Sequence, residues 1–151
     1  MKKIVLLSLL LLLSAACSSD DDAAANPACE NDVIIDNALY TSVETSHYLI
    51  TGAKIVGDCL EVSIRSGGCS GDDWVAELID ADRVAETAVL QRDLKVSLEN
   101  PELCFGLVTR SFSFNLRPLQ SDGGKLILHL ENWEEPLKYE YSKVPDLLTL
   151  I

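Results

Sequence analysis

The sequence predicts an all-β domain, folded as an antiparallel two-sheet sandwich of immunoglobulin-like size with seven or eight strands. Three observations support this class. Apolar and polar residues alternate over most of the chain after Cys29, turn-forming residues separate the alternating runs, and no stretch of three turns carries a helical apolar stripe. Short strands with tight turns in a chain of 151 residues favour a sandwich. A small β-barrel is the alternative.

The alternation places the strands in order along the chain. Leu60, Val62 and Ile64, for example, alternate with polar residues, and Gly57-Asp58 marks the turn before them. The stretch from Val75 to Val84 is also compatible with a short helix and is the least distinct strand. The predicted strands lie near residues 38–44, 47–56, 59–66, 73–80, 87–98, 104–116, 124–131 and 137–142.

The first 16 residues have the pattern of a signal peptide. Lys2 and Lys3 precede an apolar run from Ile4 to Leu13, which is shorter than the roughly 20 residues that a membrane-spanning helix needs. Small residues then lead to Cys17. We therefore expect export, and cleavage of residues 1–16.

The residues from Leu13 to Cys17 resemble the lipobox of bacterial lipoproteins. That family prefers Leu three residues before the cysteine, where this chain has Ser14. The resemblance implies that Cys17 becomes the lipidated first residue of the mature chain. Two or three acyl chains would hold it firmly in a membrane. Ordinary signal-peptidase cleavage after Ala16 is the alternative.

Residues 17–28 form an acidic, alanine-rich stretch that predicts a disordered tether. Its segment Ser19, Asp20, Asp21, Asp22 resembles the export signal that some Bacteroidetes lipoproteins carry just after the lipid cysteine. That resemblance implies an outer-membrane lipoprotein exposed at the cell surface, whereas a plain solubilising spacer is the alternative.

The other four cysteines are expected to form two disulfides, because lipidation of Cys17 turns an odd count of five into an even one. Tracing the strands up and down puts Cys59 and Cys69 at opposite ends of one strand, roughly 20 Å apart. Disulfide Cα atoms lie within about 7 Å, so we predict the pairs Cys69–Cys104 and Cys29–Cys59. No CxxC spacing exists, and no metal site is predicted.

Composition and motifs exclude several functions. A net charge of −12 argues against nucleic acid as a partner. The chain has two histidines, His47 and His129, and no GxSxG motif, so no catalytic residue and no cofactor is predicted. Asp72-Asp73 and Asp80-x-Asp82 lack the ligand number that Ca²⁺ requires.

Three local features also carry structural expectations. Backbone amides of Gly67 to Gly71 are able to form an anion-binding nest, but with Cys69 inside it the segment is better explained as a loop pinned by a disulfide. Trp74 begins a strand and is expected in the core. The tail, residues 143–151, is predicted to be an extra edge strand or a frayed end.

A cluster of carboxylates and aromatic rings near the C-terminus suggests a binding surface. Rings beside carboxylates are typical of carbohydrate sites, and paired carboxylates hydrolyse glycosides. Solvated charges around the turn at Pro136 are the simpler interpretation. The carboxylates are Glu131, Glu134, Glu135 and Glu140, and the possible binding residues are Trp133, Tyr139 and Tyr141.

The order of these features resembles small uncharacterised lipoproteins of Bacteroidetes. The resemblance rests on the lipobox, Gly67-Gly68-Cys69, Trp74, Leu103-Cys104 and the closing Tyr139-Glu140-Tyr141. It implies location and fold but no activity. We therefore expect a membrane-anchored, non-enzymatic module for a protein or glycan ligand, with the β-sandwich at residues 29–142. A small carbohydrate-active hydrolase is the alternative.

Overall fold

The computed structural model describes residues 28–85 and 87–142, which fold into two β-sheets packed around one core. The elements are β1 (Asn31–Asp32), β2 (Ile34–Ile35), α1 (Asn37–Ser42), β3 (Leu49–Val56), β4 (Cys59–Gly68), β5 (Val75–Ala85), β6 (Gln91–Glu99), β7 (Gly106–Asn115), a 3₁₀ helix (Arg117–Leu119), β8 (Lys125–Leu130) and β9 (Leu137–Glu140).

The two sheets form a sandwich, which confirms the predicted fold class. One sheet has the order β1-β7-β4-β3 and the other has the order β2-β5-β6-β8-β9. Alternate residues point inward, as Leu60, Val62 and Ile64 do on β4, where all three are fully buried. Side chains of both sheets share the core, which includes the buried Trp74, as expected.

Both sheets are mixed rather than purely antiparallel. The pairs β1–β7, β2–β5 and β6–β8 are parallel. The first two arise because the N-terminal segment passes from one sheet to the other at the buried Val33. The third arises because β8 follows β7 of the opposite sheet and then lies beside β6. The expectation of wholly antiparallel sheets is wrong for these three pairs.

One predicted strand is a helix. Residues 38–44 were expected to be extended, but Asn37–Ser42 form α1. Asp36 caps this helix, because its side chain accepts a hydrogen bond of 2.9 Å from the Leu39 backbone N–H. Six residues are too few for a helical period to stand out in the sequence. By contrast, the ambiguous stretch from Val75 is a strand, β5.

A buried ion pair lies in the β5–β6 part of the sandwich. Asp80 is fully buried, and its Oδ1 atom accepts hydrogen bonds from Arg92 at 2.7 Å and from the Asp82 backbone N–H at 2.8 Å. Burial raises the pKa of Asp80, and the nearby Arg92 charge offsets part of that rise. These contacts satisfy one oxygen of the Asp80 carboxylate, whereas Oδ2 is buried and accepts no hydrogen bond within the described residues.

The two disulfides join the pairs that the strand geometry predicted. Cys29 bonds to Cys59 with a Cα–Cα distance of 5.6 Å, and Cys69 bonds to Cys104 with a Cα–Cα distance of 4.9 Å. Cys59 is buried, whereas Cys69 and Cys104 are both exposed. The first bridge therefore holds the N-terminal segment against the core, and the second holds two surface loops together.

Candidate interaction surface

The loop after β4 is organised by a carboxylate from the same chain. Backbone N–H groups of Cys69, Ser70 and Gly71 all donate to the carboxylate of Glu102, at 2.6, 3.2 and 2.8 Å. Three converging amides form an anion nest of the kind the sequence suggested. Glu102 fills this nest, so the loop is a structural element, held also by the disulfide between Cys69 and Cys104.

Two glycines make this close approach possible. A Cβ atom on Gly68 would collide with the Glu102 carboxylate and press on the Trp74 ring. Gly71 has a φ of +78°, a conformation that side chains disfavour, and a Cβ there would meet the Arg110 side chain. The glycine-rich composition of this loop is thus explained by packing and backbone geometry.

The nest also sets the charge state of Glu102. Desolvation raises the pKa of this carboxyl, but the hydrogen bonds from the three backbone amides and the Ser70 hydroxyl outweigh it, and the pKa is lowered overall. The carboxylate therefore stays ionised in more acidic solution than an ordinary glutamate does. Because Glu102 directly precedes Leu103, its hydrogen bonds to the loop also fix the backbone position from which Leu103 and the following residues extend.

Three large apolar side chains follow the nest and point into solvent. Leu103, Phe105 and Leu107 have relative exposures of 90%, 103% and 80%. We call these three residues the apolar ridge. They alternate along the chain, with Cys104 and its disulfide between the first two. Exposed apolar residues that stand singly need no explanation, but three in succession mark a candidate contact surface.

A wide, open groove runs beside the ridge. It has a volume of about 780 Å³, and its walls include Leu103, Phe105, His47 and Ser66. His47 Nε2 lies 3.0 Å from the Leu98 carbonyl oxygen, and the Ser66 hydroxyl donates to the His47 carbonyl at 2.8 Å. These contacts hold His47 in the wall of the groove, where its ring lies against a backbone carbonyl.

Sequence reasoning did not identify the ridge, although a signal was present. Residues 104–116 were treated as one strand with a single apolar side. The buried residues Phe112 and Phe114 occupy even positions, whereas Leu103, Phe105 and Leu107 occupy odd ones. Since side chains alternate across a strand, Leu107 is expected to face the opposite side from Phe112 and Phe114, while Leu103 and Phe105 precede the strand.

The predicted aromatic residues do not form one site. Tyr139 is fully buried, and its hydroxyl donates to Asp58 at 2.7 Å and accepts from Gln120 at 2.7 Å. Its side chain has no surface exposed to solvent, so the prediction of a binding role is wrong for this residue. Tyr141 is half-buried, and its hydroxyl bonds to the backbone of Ser121.

Trp133 lies apart from those tyrosine contacts. It lines an open groove of about 510 Å³ with Thr45, Tyr48, Asn132 and Glu134. Its indole N–H is buried and makes no hydrogen bond within the described part of the chain. Trp133 is therefore the predicted aromatic residue whose surroundings remain open to a ligand.

Two of the carboxylates near the C-terminus lie far apart. Glu131 follows the end of β8 and is bound by Thr45 at 2.8 Å and by Lys95 at 3.3 Å. Glu140 lies opposite Lys125 in the β8–β9 register, at the other end of β8. At about 3.3 Å per residue this end is roughly 17 Å or more from Glu131. Catalytic pairs in glycosidases are about 5 to 10 Å apart, so these two do not form one.

Other chemistry-bearing residues have structural partners. His129 Nε2 lies 2.8 Å from the side-chain oxygen of Gln91. No group of three or more potential metal ligands occurs among residues 28–85 and 87–142. Within the same ranges, no helix has the length and apolar character to cross a membrane. The predicted lipid site Cys17, the segment Ser19–Asp22 and the tail 143–151 lie outside the described residues.

Comparison with known proteins supplies a fold and no activity. No family model matches the chain, and no curated protein matches it. A crystal structure of a protein of unknown function, DUF1344, from Bacteroides vulgatus ATCC 8482 is similar, with a TM-score of 0.50 and 17% identity. The match covers 76% of this chain and 58% of that one, so the present chain spans little more than half of its neighbour's length.

Proposed function

We propose that the protein is a non-enzymatic interaction module that binds another protein through the apolar ridge. The observation that carries the proposal is the exposure of Leu103, Phe105 and Leu107 in a region that is otherwise rigidly held. The disulfide Cys69–Cys104 and the Glu102 nest fix the ridge before any partner arrives. Preorganisation of this kind lowers the entropic cost of binding.

Apolar side chains of this size are costly to leave in water. Full burial of one such side chain is favourable by about 1.5 to 3 kcal/mol of free energy relative to leaving it exposed. Large apolar side chains also anchor protein interfaces, where a few of them supply most of the binding energy. A sugar ligand, by contrast, requires a ring with nearby polar groups. Beside the ridge, the Ser70 hydroxyl is already engaged, since it donates to Glu102 and accepts from the Asp72 backbone N–H.

The test of this proposal compares two exposed apolar positions. The full chain, immobilised, is exposed to proteins extracted from the cell envelope, either unaltered or as Phe105→Asp. Leu49→Asp is the matched control, since Leu49 is also apolar and 65% exposed but belongs to β3. A partner that is retained by the unaltered chain and by L49D and lost by F105D supports the proposal. Equal retention by all three proteins contradicts it.

We further propose that the module is held at the outer membrane through lipidated Cys17, and is exposed at the cell surface. Support comes from the lipobox-like sequence and from the two disulfides, which require an oxidising compartment. Cys17→Ser should move the protein from the membrane fraction to the soluble fraction without unfolding it. Retention of Cys17→Ser in the membrane fraction would show that the anchor lies elsewhere.

Protease treatment of whole cells distinguishes the surface from the periplasm. A surface lipoprotein should be degraded in intact cells, whereas one that faces the periplasm should be cleaved only after the outer membrane is opened.

A glycan ligand is a second candidate, favoured by the open surroundings of Trp133. Glycan binding at this position should change the fluorescence of Trp133, and Trp133→Ala should abolish that change. Hydrolysis by Glu131 with Glu140 is not proposed, because they lie at opposite ends of β8.

A further inference from the structure

Strand β7 has an unpaired backbone edge directly after the ridge. On one side, β7 pairs with β4 along its whole length, in continuous register from Gly106–Gly68 to Asn115–Cys59. On the other side, β1 pairs only with Phe114 and Asn115. Among residues 28–85 and 87–142, no strand pairs with the first eight residues of β7 on that side.

The contacts of Ser113 show in which direction the backbone N–H and C=O groups along this edge face. Its carbonyl accepts from the Glu30 backbone N–H at 3.1 Å, and its own N–H donates to the Glu30 carboxylate at 3.0 Å. Both groups therefore face away from β4. In an antiparallel ladder this direction alternates, so Leu107, Thr109 and Ser111 also direct their N–H and C=O groups to the open side.

Other strand edges of the sandwich are protected. The β3 edge carries Lys54 and an irregular register between Ile50 and Gly52, two features that deter strand pairing. The β9 edge is four residues long, includes Lys138 and follows Pro136.

On β5, β2 covers residues 79 and 80. The carbonyls of Ala76 and Ala81 accept from the side chains of Asn31 and Asn37. The open part of β7 has no lysine, no proline and no register shift, and its charged residue, Arg110, is paired with Asp72.

We infer that this edge receives an extended segment of the partner protein, which adds to the sheet as a strand beside residues 107–111, while its side chains contact the apolar ridge. The inference rests on the proposed function and specifies how the partner binds. Strand addition uses main-chain hydrogen bonds for affinity and alternate side chains for specificity. Leu107 belongs to both features, since it lies on the ridge and on the open edge.

The charge of the surroundings indicates the chemistry of the segment. Arg110 is paired with Asp72 at 2.5 Å, while Asp73 is exposed in the same loop, and the whole chain has a net charge of −12. A second copy of this chain would bring together two strongly acidic proteins. The charge favours a segment of a different protein that alternates apolar residues with Lys or Arg.

Hydrogen exchange of the full chain tests the inference. The probe is a synthetic eight-residue peptide that alternates Lys with Val. It should slow exchange at the amides of Leu107, Thr109 and Ser111 by about tenfold or more, and leave the amides of β3 unchanged. If these three amides are already protected without peptide, the edge is occupied by the chain itself and the inference fails.

Two control peptides separate strand addition from simple attraction. One alternates Lys with Ser and keeps the charge. The other has the Lys–Val sequence with alternate backbone nitrogens methylated, which removes donors that strand pairing requires. Both should bind at least about tenfold more weakly. Equal binding of either control overturns the inference, because it shows that charge or apolar contact alone accounts for binding.

A matched pair of variants locates the contact on the protein. Leu107→Lys places on the β7 edge the kind of residue that protects β3, and should weaken binding of the Lys–Val peptide about tenfold. Leu49→Lys should have no effect.

The outcome also distinguishes this inference from the proposed function. If F105D loses the envelope partner while the partner leaves the amides at 107, 109 and 111 unprotected, strand addition is wrong and the ridge remains the binding surface. If the partner binds F105D normally, the proposed function itself fails.

Discussion

Two disulfides stabilise this domain, and a carboxylate lies near each of them in the sequence. One carboxylate binds side chains, and the other binds backbone amides. Asp58 precedes the buried Cys59, and it binds side chains from the later part of the chain, Arg117 at 2.7 Å and Tyr139 at 2.7 Å. Glu102, two residues before the exposed Cys104, binds backbone amides of a surface loop. We call these the Asp58 region and the Glu102 region.

The difference shows which region is structural and which is suited to binding. In the Asp58 region the partners are tied to the core: Tyr139 is fully buried, and the Leu116 backbone N–H donates to the Asp58 carbonyl at 2.8 Å. The Glu102 region holds its loop through backbone amides but leaves the adjacent apolar side chains in solvent. Rigidity with exposed apolar surface is the property that a binding site requires.

Removing each disulfide gives the largest expected effect. The loops span 30 and 35 residues, so chain entropy assigns nearly equal contributions of about 3.7 and 3.8 kcal/mol. Cys29→Ala with Cys59→Ala should lower the free energy of unfolding by at least that amount, since the freed N-terminal segment pairs with both sheets.

Cys69→Ala with Cys104→Ala should lower stability similarly but loosen only the Glu102 region. Urea unfolding measures the first effect, and hydrogen exchange of the Ser70 and Gly71 amides measures the second. Fast exchange throughout β1 and β2 in the Cys69/Cys104 variant would show that the regions are not separable.

Tyr139→Phe probes the Asp58 region with a smaller change. The variant keeps the buried ring and removes a hydroxyl with two partners, Asp58 and Gln120, so the unfolding free energy should fall by about 1 to 3 kcal/mol. Tyr141→Phe is the matched control on the same strand end, and its half-buried hydroxyl should matter less. Urea unfolding measures both variants. If they lose the same unfolding free energy, the contact between Tyr139 and Asp58 does not contribute more than the contacts of Tyr141, which contradicts the prediction.

Glu102→Gln probes the other carboxylate through pH. Because the folded-state pKa of Glu102 lies below its ordinary value of 4.5, the ionised group stabilises the fold above that pH. This contribution is lost as the pH falls through the lowered folded-state pKa. The stability difference between wild type and Glu102→Gln should therefore be constant above about pH 5 and shrink in more acidic solution. Unfolding curves from pH 7 to pH 3 measure it, and a difference that grows on acidification would contradict the nest.

Phe105→Ser should have the smallest effect on stability. The side chain is fully exposed, so the unfolding free energy should change by no more than about 0.5 kcal/mol. Phe114→Ser, at a fully buried position within β7, is the contrasting variant and should destabilise strongly. A large loss in Phe105→Ser would mean that the ridge packs against the domain.

The β-strand scaffold could be predicted from the sequence more fully than the binding surface. Alternation located β4, β6 and β8 because their inward residues repeat every second position, and strand ends then determined which cysteines meet. The parallel partners of β1 and β2 were not predictable, since two-residue strands carry no period. The helix α1 was missed for a similar reason.

The candidate site was harder to predict because its parts are distant in the sequence. Glu102 and the amides it binds are more than 30 residues apart, and nothing in the local pattern shows that a carboxylate fills the nest. The tyrosines that suggested a sugar site had another role, since Tyr139 completes the Asp58 region.

Site-specific photo-crosslinking in intact cells tests the central claim most directly. A photoreactive phenylalanine analogue replaces Phe105 in one chain and Leu49 in another, and irradiated cells are examined for covalent adducts. The account predicts a discrete protein adduct at position 105 and none at position 49. Adducts of equal yield at both positions, or at position 49 alone, would contradict the assignment of the apolar ridge as the binding surface.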